Sequence, residues 1–129
     1  MRKKMSVKAI VADKDFLVGF LADVAYNSYW ARFGTHQDTP TEVRKNAKAN
    51  NVCREEIWAD VLLNGGFLRV EDREDGKEYK VSLKDVEKGF KRLMFMYPRI
   101  YANIMTKESD FYDVDALLQC IVFKDIIYG

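Results

Sequence analysis

The side chains best suited to catalysis in this chain are a single histidine and two cysteines. A Ser-His-Asp or Cys-His centre would have to be built around His36, which lies in a polar segment typical of a loop. Cys53 and Cys120 belong to no CxxC pair and to no recognisable nucleophile or metal motif. We therefore expect no catalytic residue, no cofactor and two reduced thiols.

Two further patterns resemble ligand-binding motifs but are better explained by helix ends. Asp110, Asp113 and Asp115 could bind a divalent cation, yet the spacing lacks the glycine and the terminal glutamate of a calcium loop. Aspartates just before an apolar run more often cap a helix. Gly65 and Gly66 are followed by no Lys-Ser/Thr pair, so they indicate a helix C-terminus and no phosphate loop. The sequence predicts no metal site.

An aromatic cluster near the end of the first long helix is the main candidate for partner binding. Tyrosine and tryptophan combine a large contact area with a polar tip, and both are enriched at interface hot spots. The same residues could instead close the hydrophobic core at the helix end. The cluster consists of Tyr26, Tyr29, Trp30 and Phe33.

A basic set on a polar helix offers an alternative, nucleic-acid-binding function. Lysine and arginine side chains on one face can neutralise phosphates, although a solvated helix face is the commoner explanation for such a set. No stacking aromatics are interleaved with them. The set consists of Arg44, Lys45, Lys48 and Arg54.

A β-hairpin over residues 67–83 organises the predicted fold. Asp75-Gly76 favours a two-residue type I′ loop, which needs a positive φ at both positions. The resulting register places Glu71 opposite Lys80 and Arg73 opposite Glu78 on one face. The other face is apolar, with Leu68, Val70, Tyr79, Val81 and Leu83.

The remaining segments must cover this apolar face. Residues 5–11 alternate between apolar and polar side chains, which predicts a third strand. Apolar spacing of three and four residues predicts about five helices, over residues 13–30, 39–63, 82–97, 99–106 and 114–127. Asn50-Asn51 interrupts the second of these, so residues 39–63 form one or two helices. We expect one α+β domain spanning residues 1–129, in which the helices pack on one face of a small antiparallel sheet.

Composition narrows the range of partners and compartments. The chain has 129 residues and 21 Lys plus Arg against 20 Asp plus Glu, so no dominant field favours nucleic acid or a membrane surface. It contains no apolar run of signal-peptide or membrane-span length. We expect a cytoplasmic protein with no membrane partner.

Three stretches loosely resemble a group of small proteins from phages and integrative mobile elements of Gram-positive and gut bacteria. They are SYW at residues 28–30, VLLNGGFLRVED at 61–72 and DALLQCIVFKDIIYG at 115–129. The resemblance implies a non-enzymatic protein that binds a host or defence protein, as anti-CRISPR and anti-restriction proteins do, in the cytoplasm of the bacterial host. Two alternatives stay open: a nucleic-acid-binding accessory protein, and a small-ligand-binding protein or enzyme with a pocket that the sequence does not reveal.

Overall fold

A computed structural model describes residues 6–129. The fold class is the α+β class that the sequence predicts. The described residues form a three-stranded antiparallel sheet and seven helices, two more than predicted. In chain order these are α1 (Val7–Val11), α2 (Lys14–Asn27), β1 (Ala31–Thr35), α3 (Thr41–Asn50), α4 (Arg54–Leu63), β2 (Leu68–Asp72), β3 (Glu78–Val81), α5 (Leu83–Met96), α6 (Pro98–Met105) and α7 (Phe111–Val122).

The sheet has β2 at its centre, paired with β1 on one side and β3 on the other. Its inner face is built from buried Leu68, Val70 and Val81, and Phe33 of β1 pairs with Val70 on the same face. The outer face carries charged side chains. Helices therefore cover one face only, as predicted.

The hairpin has the predicted strands and the predicted apolar face, but its register is shifted by two residues. Leu68 pairs with Val81 and Val70 pairs with Tyr79, so residues 73–76 form a four-residue loop in place of the predicted two-residue loop. A shift of two keeps every side chain on its face. Gly76 has a positive φ of 75°, but the φ of Asp75 is not positive. The prediction of a type I′ turn is therefore wrong.

Asp72 accounts for the longer loop. Its amide donates to the carbonyl oxygen of Lys77 at 2.8 Å, and its carboxylate accepts the amide of Glu74 at 2.9 Å, which together close the hairpin two residues earlier on β2. The predicted charge pairs change accordingly. Arg69 contacts Glu78 at 3.3 Å, and Lys80 pairs with Asp38 at 3.3 Å.

The predicted N-terminal strand is wrong, because residues 7–11 form helix α1. Met5, the first residue of that prediction, lies outside the described residues. Val7, Ile10 and Val11 are buried, a spacing of three and four that a helix satisfies, whereas a strand would have turned Ile10 toward the polar side. The hydroxyl of Ser6 accepts the amide of Ala9 at 3.1 Å and caps the helix.

The third strand is β1, which lies between the end of the predicted long helix at Trp30 and the predicted loop around His36. Helix α2 ends at Asn27, three residues before the predicted end at Trp30. The following segment then pairs with β2, with Ala31 opposite Asp72 and Thr35 opposite Leu68.

Local signals mark most other helix ends, but the last helix runs over Phe111–Val122 and not over the predicted residues 114–127. Ser82 and Asp85 form a reciprocal capping box at the start of α5, as do Asp110 and Asp113 at the start of α7. Gly65 has a φ of 87° and ends α4. Pro98 begins α6.

The C-terminal segment is docked on the core. The side chain of Gln119, which is 1% exposed, accepts the amides of Ile127 and Tyr128 at 2.8 Å each. The hydroxyl of Tyr128 donates to Asp72 at 2.7 Å, and this hydrogen bond raises the pKa of Tyr128. The chain end thus ties α7 to the hairpin.

None of the helices within residues 6–129 combines the length and the apolar character needed to cross a membrane.

Candidate partner-binding surface

The structure divides the predicted aromatic cluster into an exposed pair and a core pair. Tyr26 is 88% exposed and Tyr29 is 66% exposed. Trp30 is completely buried, and Phe33 is half-buried on the inner face of the sheet. Only the two tyrosines are therefore fully available to a partner.

Trp30 is held in the core by both its ring and its indole nitrogen. The ring lies 4.8 Å from that of Phe123 and 5.8 Å from that of Tyr128, measured between centroids. The indole Nε1 donates to the carboxylate of Asp115 at 2.8 Å, which satisfies the one polar group of the buried side chain. Phe33 packs at 5.9 Å on the ring of Trp58.

Asp115 joins the end of α2 to α7. In addition to the indole of Trp30, it accepts the hydroxyl of buried Ser28 and the side-chain amide of Gln119, the latter at 2.8 Å. Asp115, which the sequence analysis assigned to a helix cap, is thus a junction between elements distant in sequence. Capping itself is done by Asp110 and Asp113.

A second exposed aromatic pair lies on α7, close in sequence to Asp115. Phe111 is 47% exposed and Tyr112 is 65% exposed, with ring centroids 4.2 Å apart. Both precede Asp115 on α7 by about one helical turn, and Tyr26 and Tyr29 lie within two residues of Ser28, which bonds Asp115 from the other side of the junction. We call Tyr26, Tyr29, Phe111 and Tyr112 the aromatic surface.

Sequence reasoning missed Phe111 and Tyr112, and helical spacing gives no signal of their exposure. Phe111 precedes buried Val114 by three residues and Tyr112 precedes buried Ala116 by four, so their spacing predicts burial. They are exposed because they lie in the first turn of α7, directly after the capping residue Asp110.

The four candidate basic residues do not form one free cationic face. Arg44 turns toward the preceding loop and donates through Nη2 to the carbonyl oxygen of His36 at 3.0 Å. Arg54 pairs with Glu55 at 2.8 Å and lies 5.3 Å from the centroid of the Trp58 ring. Lys45 and Lys48 remain exposed on α3.

In the part of the chain that the structure describes, no hydrogen bond joins any two of His36, Cys53 and Cys120. His36 accepts the amide of Asp38 through Nδ1 at 3.0 Å. Cys53 is exposed at the start of α4, and the neighbouring Glu56 raises its pKa. Burial raises the pKa of Cys120 to about 11. Within residues 6–129, no three His, Cys, Asp or Glu side chains are grouped to hold a metal ion.

A groove of about 590 Å³ runs between α2 and the α6–α7 connection. Its floor includes Phe16 and Phe20, whose rings stack with centroids 6.2 Å apart. The volume lies within the range of small-molecule sites. The groove is where the small-ligand alternative would place its pocket.

Fold and surface together define an α+β protein with a one-sided antiparallel sheet and an exposed aromatic surface. No family model, curated protein or solved structure matches the chain.

Proposed function

We propose that this chain is a non-enzymatic protein of a phage or mobile element that binds a host or defence protein through the aromatic surface. In this proposal it acts in the cytoplasm of the bacterial host as a counter-defence inhibitor, with anti-CRISPR proteins as one example of the class. The observation that carries the proposal is the exposure of four large aromatic side chains on the two segments that the Asp115 junction joins.

Exposed rings on a firmly held backbone favour binding. Tyrosine has two side-chain torsions, so fixing it at an interface costs little conformational entropy for the area it contributes. The Asp115 junction holds both elements that present the rings, through Ser28 and Trp30 on one side and α7 on the other. A partner would therefore meet a surface that needs little rearrangement.

The resemblance over residues 28–30, 61–72 and 115–129 supplies the biological context of the proposal. Two of these stretches contribute directly to the junction, since they contain Ser28, Trp30 and Asp115.

The experiment is affinity capture from a host lysate followed by quantitative binding to the captured protein. We expect the Tyr26→Ala/Tyr29→Ala and Phe111→Ala/Tyr112→Ala double variants to weaken binding by about 30-fold or more, the cost of losing one or more hot-spot residues. Phe95→Ala is the matched control, because Phe95 is 87% exposed but lies on α5. Equal binding by wild type and both double variants would place the contact elsewhere.

A functional assay tests the counter-defence part separately. Expression of the wild-type chain should restore transformation by a plasmid that an active CRISPR or restriction system in the host targets. The double variants should not, whereas Phe95→Ala should. If the chain binds a partner yet restores transformation in no defence background tested, the counter-defence assignment fails and partner binding stands.

A further inference from the structure

A small polar pocket lies beyond the aromatic surface, where the loop after β1 meets α3 and the outer face of the sheet. Its volume of about 240 Å³ is below the roughly 300–1,000 Å³ of sites for drug-sized ligands. It therefore suits a small ion or one group of a larger molecule. The lining residues are Thr35, His36, Gln37, Arg44, Arg69 and Glu78.

Arg44 leaves part of its guanidinium available in this pocket. Nη2 donates to the carbonyl oxygen of His36 at 3.0 Å, whereas the buried Nε has no hydrogen-bond partner in the described part of the chain. A buried donor of a charged group is destabilising unless it is paired. An oxyanion is the acceptor that the planar edge of a guanidinium fits best.

Arg69 brings a second positive charge to the pocket from β2. A Cβ at Gly34 would lie 2.9 Å from Nη2 of Arg69, so the glycine in β1 leaves room for the guanidinium. Glu78 lies 3.3 Å from Nη1 of Arg69 and offsets one of the two arginine charges. The pocket keeps an excess of positive charge, which favours an anion.

The loop that completes the pocket is fixed by hydrogen bonds to the start of β2. The amide of His36 donates to the carbonyl oxygen of Phe67 at 2.9 Å, and the hydroxyl of Thr39 bonds both the amide and the carbonyl of Phe67 at 3.0 Å. Because Nδ1 of His36 accepts the amide of Asp38, a neutral imidazole carries its proton on Nε2. The ring is thus a third donor among the lining residues.

We propose that this pocket binds a phosphate group, with Arg44 and Arg69 as its principal ligands and His36 as an additional donor. The group is either free phosphate, the terminal phosphate of a nucleotide, or a phosphodiester of a nucleic-acid strand. The site is independent of the aromatic surface, so neither proposal depends on the other.

The test is a titration of the whole chain with inorganic phosphate at constant ionic strength, with chloride as the balancing anion. The nuclear magnetic resonance signal of the Arg44 Nε–H group reports directly on the proposed contact. We expect this signal to shift and to saturate at millimolar phosphate. Parallel titrations with a nucleoside monophosphate and a short oligothymidine distinguish the three sources by which of them binds most tightly.

Variants separate a local site from general positive charge. Arg44→Gln and Arg69→Gln should each weaken phosphate binding by about tenfold, the cost of losing a charge-assisted hydrogen bond. Lys45→Gln is the control, because Lys45 is exposed beside Arg44 on α3 but does not line the pocket. A non-saturating shift, an equal response to chloride, or equal weakening by Lys45→Gln would overturn the proposal. Arg69→Gln and the wild-type signal decide the matter even if Arg44→Gln fails to fold.

Discussion

Replacing Gln119 by leucine tests whether the C-terminal segment is part of the folded core. Leucine has a similar volume and helix propensity, so the change removes hydrogen bonds with little loss of packing. Gln119 accepts the amides of Ile127 and Tyr128 and donates to Asp115 and to the carbonyl oxygen of Tyr128. At about 0.5–1.5 kcal/mol for each hydrogen bond, losing all four would lower the free energy of unfolding by at most about 2–6 kcal/mol. The actual cost is smaller, because a detached C-terminal segment can donate its amides to water. We therefore expect the free energy of unfolding to fall by about 2–4 kcal/mol.

The assay is denaturant unfolding combined with amide hydrogen exchange. The Gln119→Leu variant should unfold at lower denaturant concentration, and the amides of Ile127 and Tyr128 should lose their protection before the rest of α7 does. Gln37→Leu is the control, since Gln37 is the other glutamine and is exposed. A Gln119→Leu variant within about 0.5 kcal/mol of wild type, with both amides still protected, would refute the role assigned to this side chain.

Two further predictions concern helix packing and pH. Gly89→Ala should destabilise the fold by about 1–3 kcal/mol, because the new Cβ would lie 2.3 Å from Cγ1 and 2.6 Å from Cα of Ile121. Gly19→Ala should instead stabilise the fold by about 0.5–1 kcal/mol, because its Cβ meets nothing within 4 Å and alanine favours a helix more than glycine does. Thermal unfolding of the two variants checks the pair, and equal shifts would contradict it. The hydroxyl of Tyr97, 2.6 Å from Asp125, lowers the pKa of Asp125, so this contact stabilises the fold above the ordinary aspartate pKa and is lost as the pH falls through the lowered value. Unfolding free energies measured across the acid range should therefore depend less on pH in Tyr97→Phe, and an unchanged acid dependence would exclude the contact.

The predictions that hold depend on signals within a few residues of one another. The capping box of Ser82 and Asp85 and the left-handed Gly65 are complete in the local sequence, so the helix boundaries they mark are correct. The apolar face of the hairpin also follows from simple alternation, which survives a register shift of two residues.

The predictions that fail depend on residues far apart in the chain. The hairpin loop is set by Asp72, whose carboxylate is engaged by Tyr128, 56 residues later. Segment 5–11 fits both a strand and a short helix by its pattern, and burial of Ile10 against the core decides for the helix. Strand β1 is recognisable only once β2 is present as its partner.

Trp30 shows why the candidate surface was only half predictable. A tryptophan side chain suits an interface and a core equally. The hydrogen bond to Asp115, 85 residues away, places Trp30 in the core. Helix α2 ends at Asn27, and residues 28–31 then form a turn in which the amide of Ala31 donates to the carbonyl oxygen of Ser28 at 3.1 Å. Within this turn Trp30 is buried and hydrogen-bonded to Asp115, whereas Tyr29 is 66% exposed. Two adjacent aromatic residues of the predicted cluster therefore take opposite roles, because a contact with a residue 85 positions away decides which of the two rings enters the core.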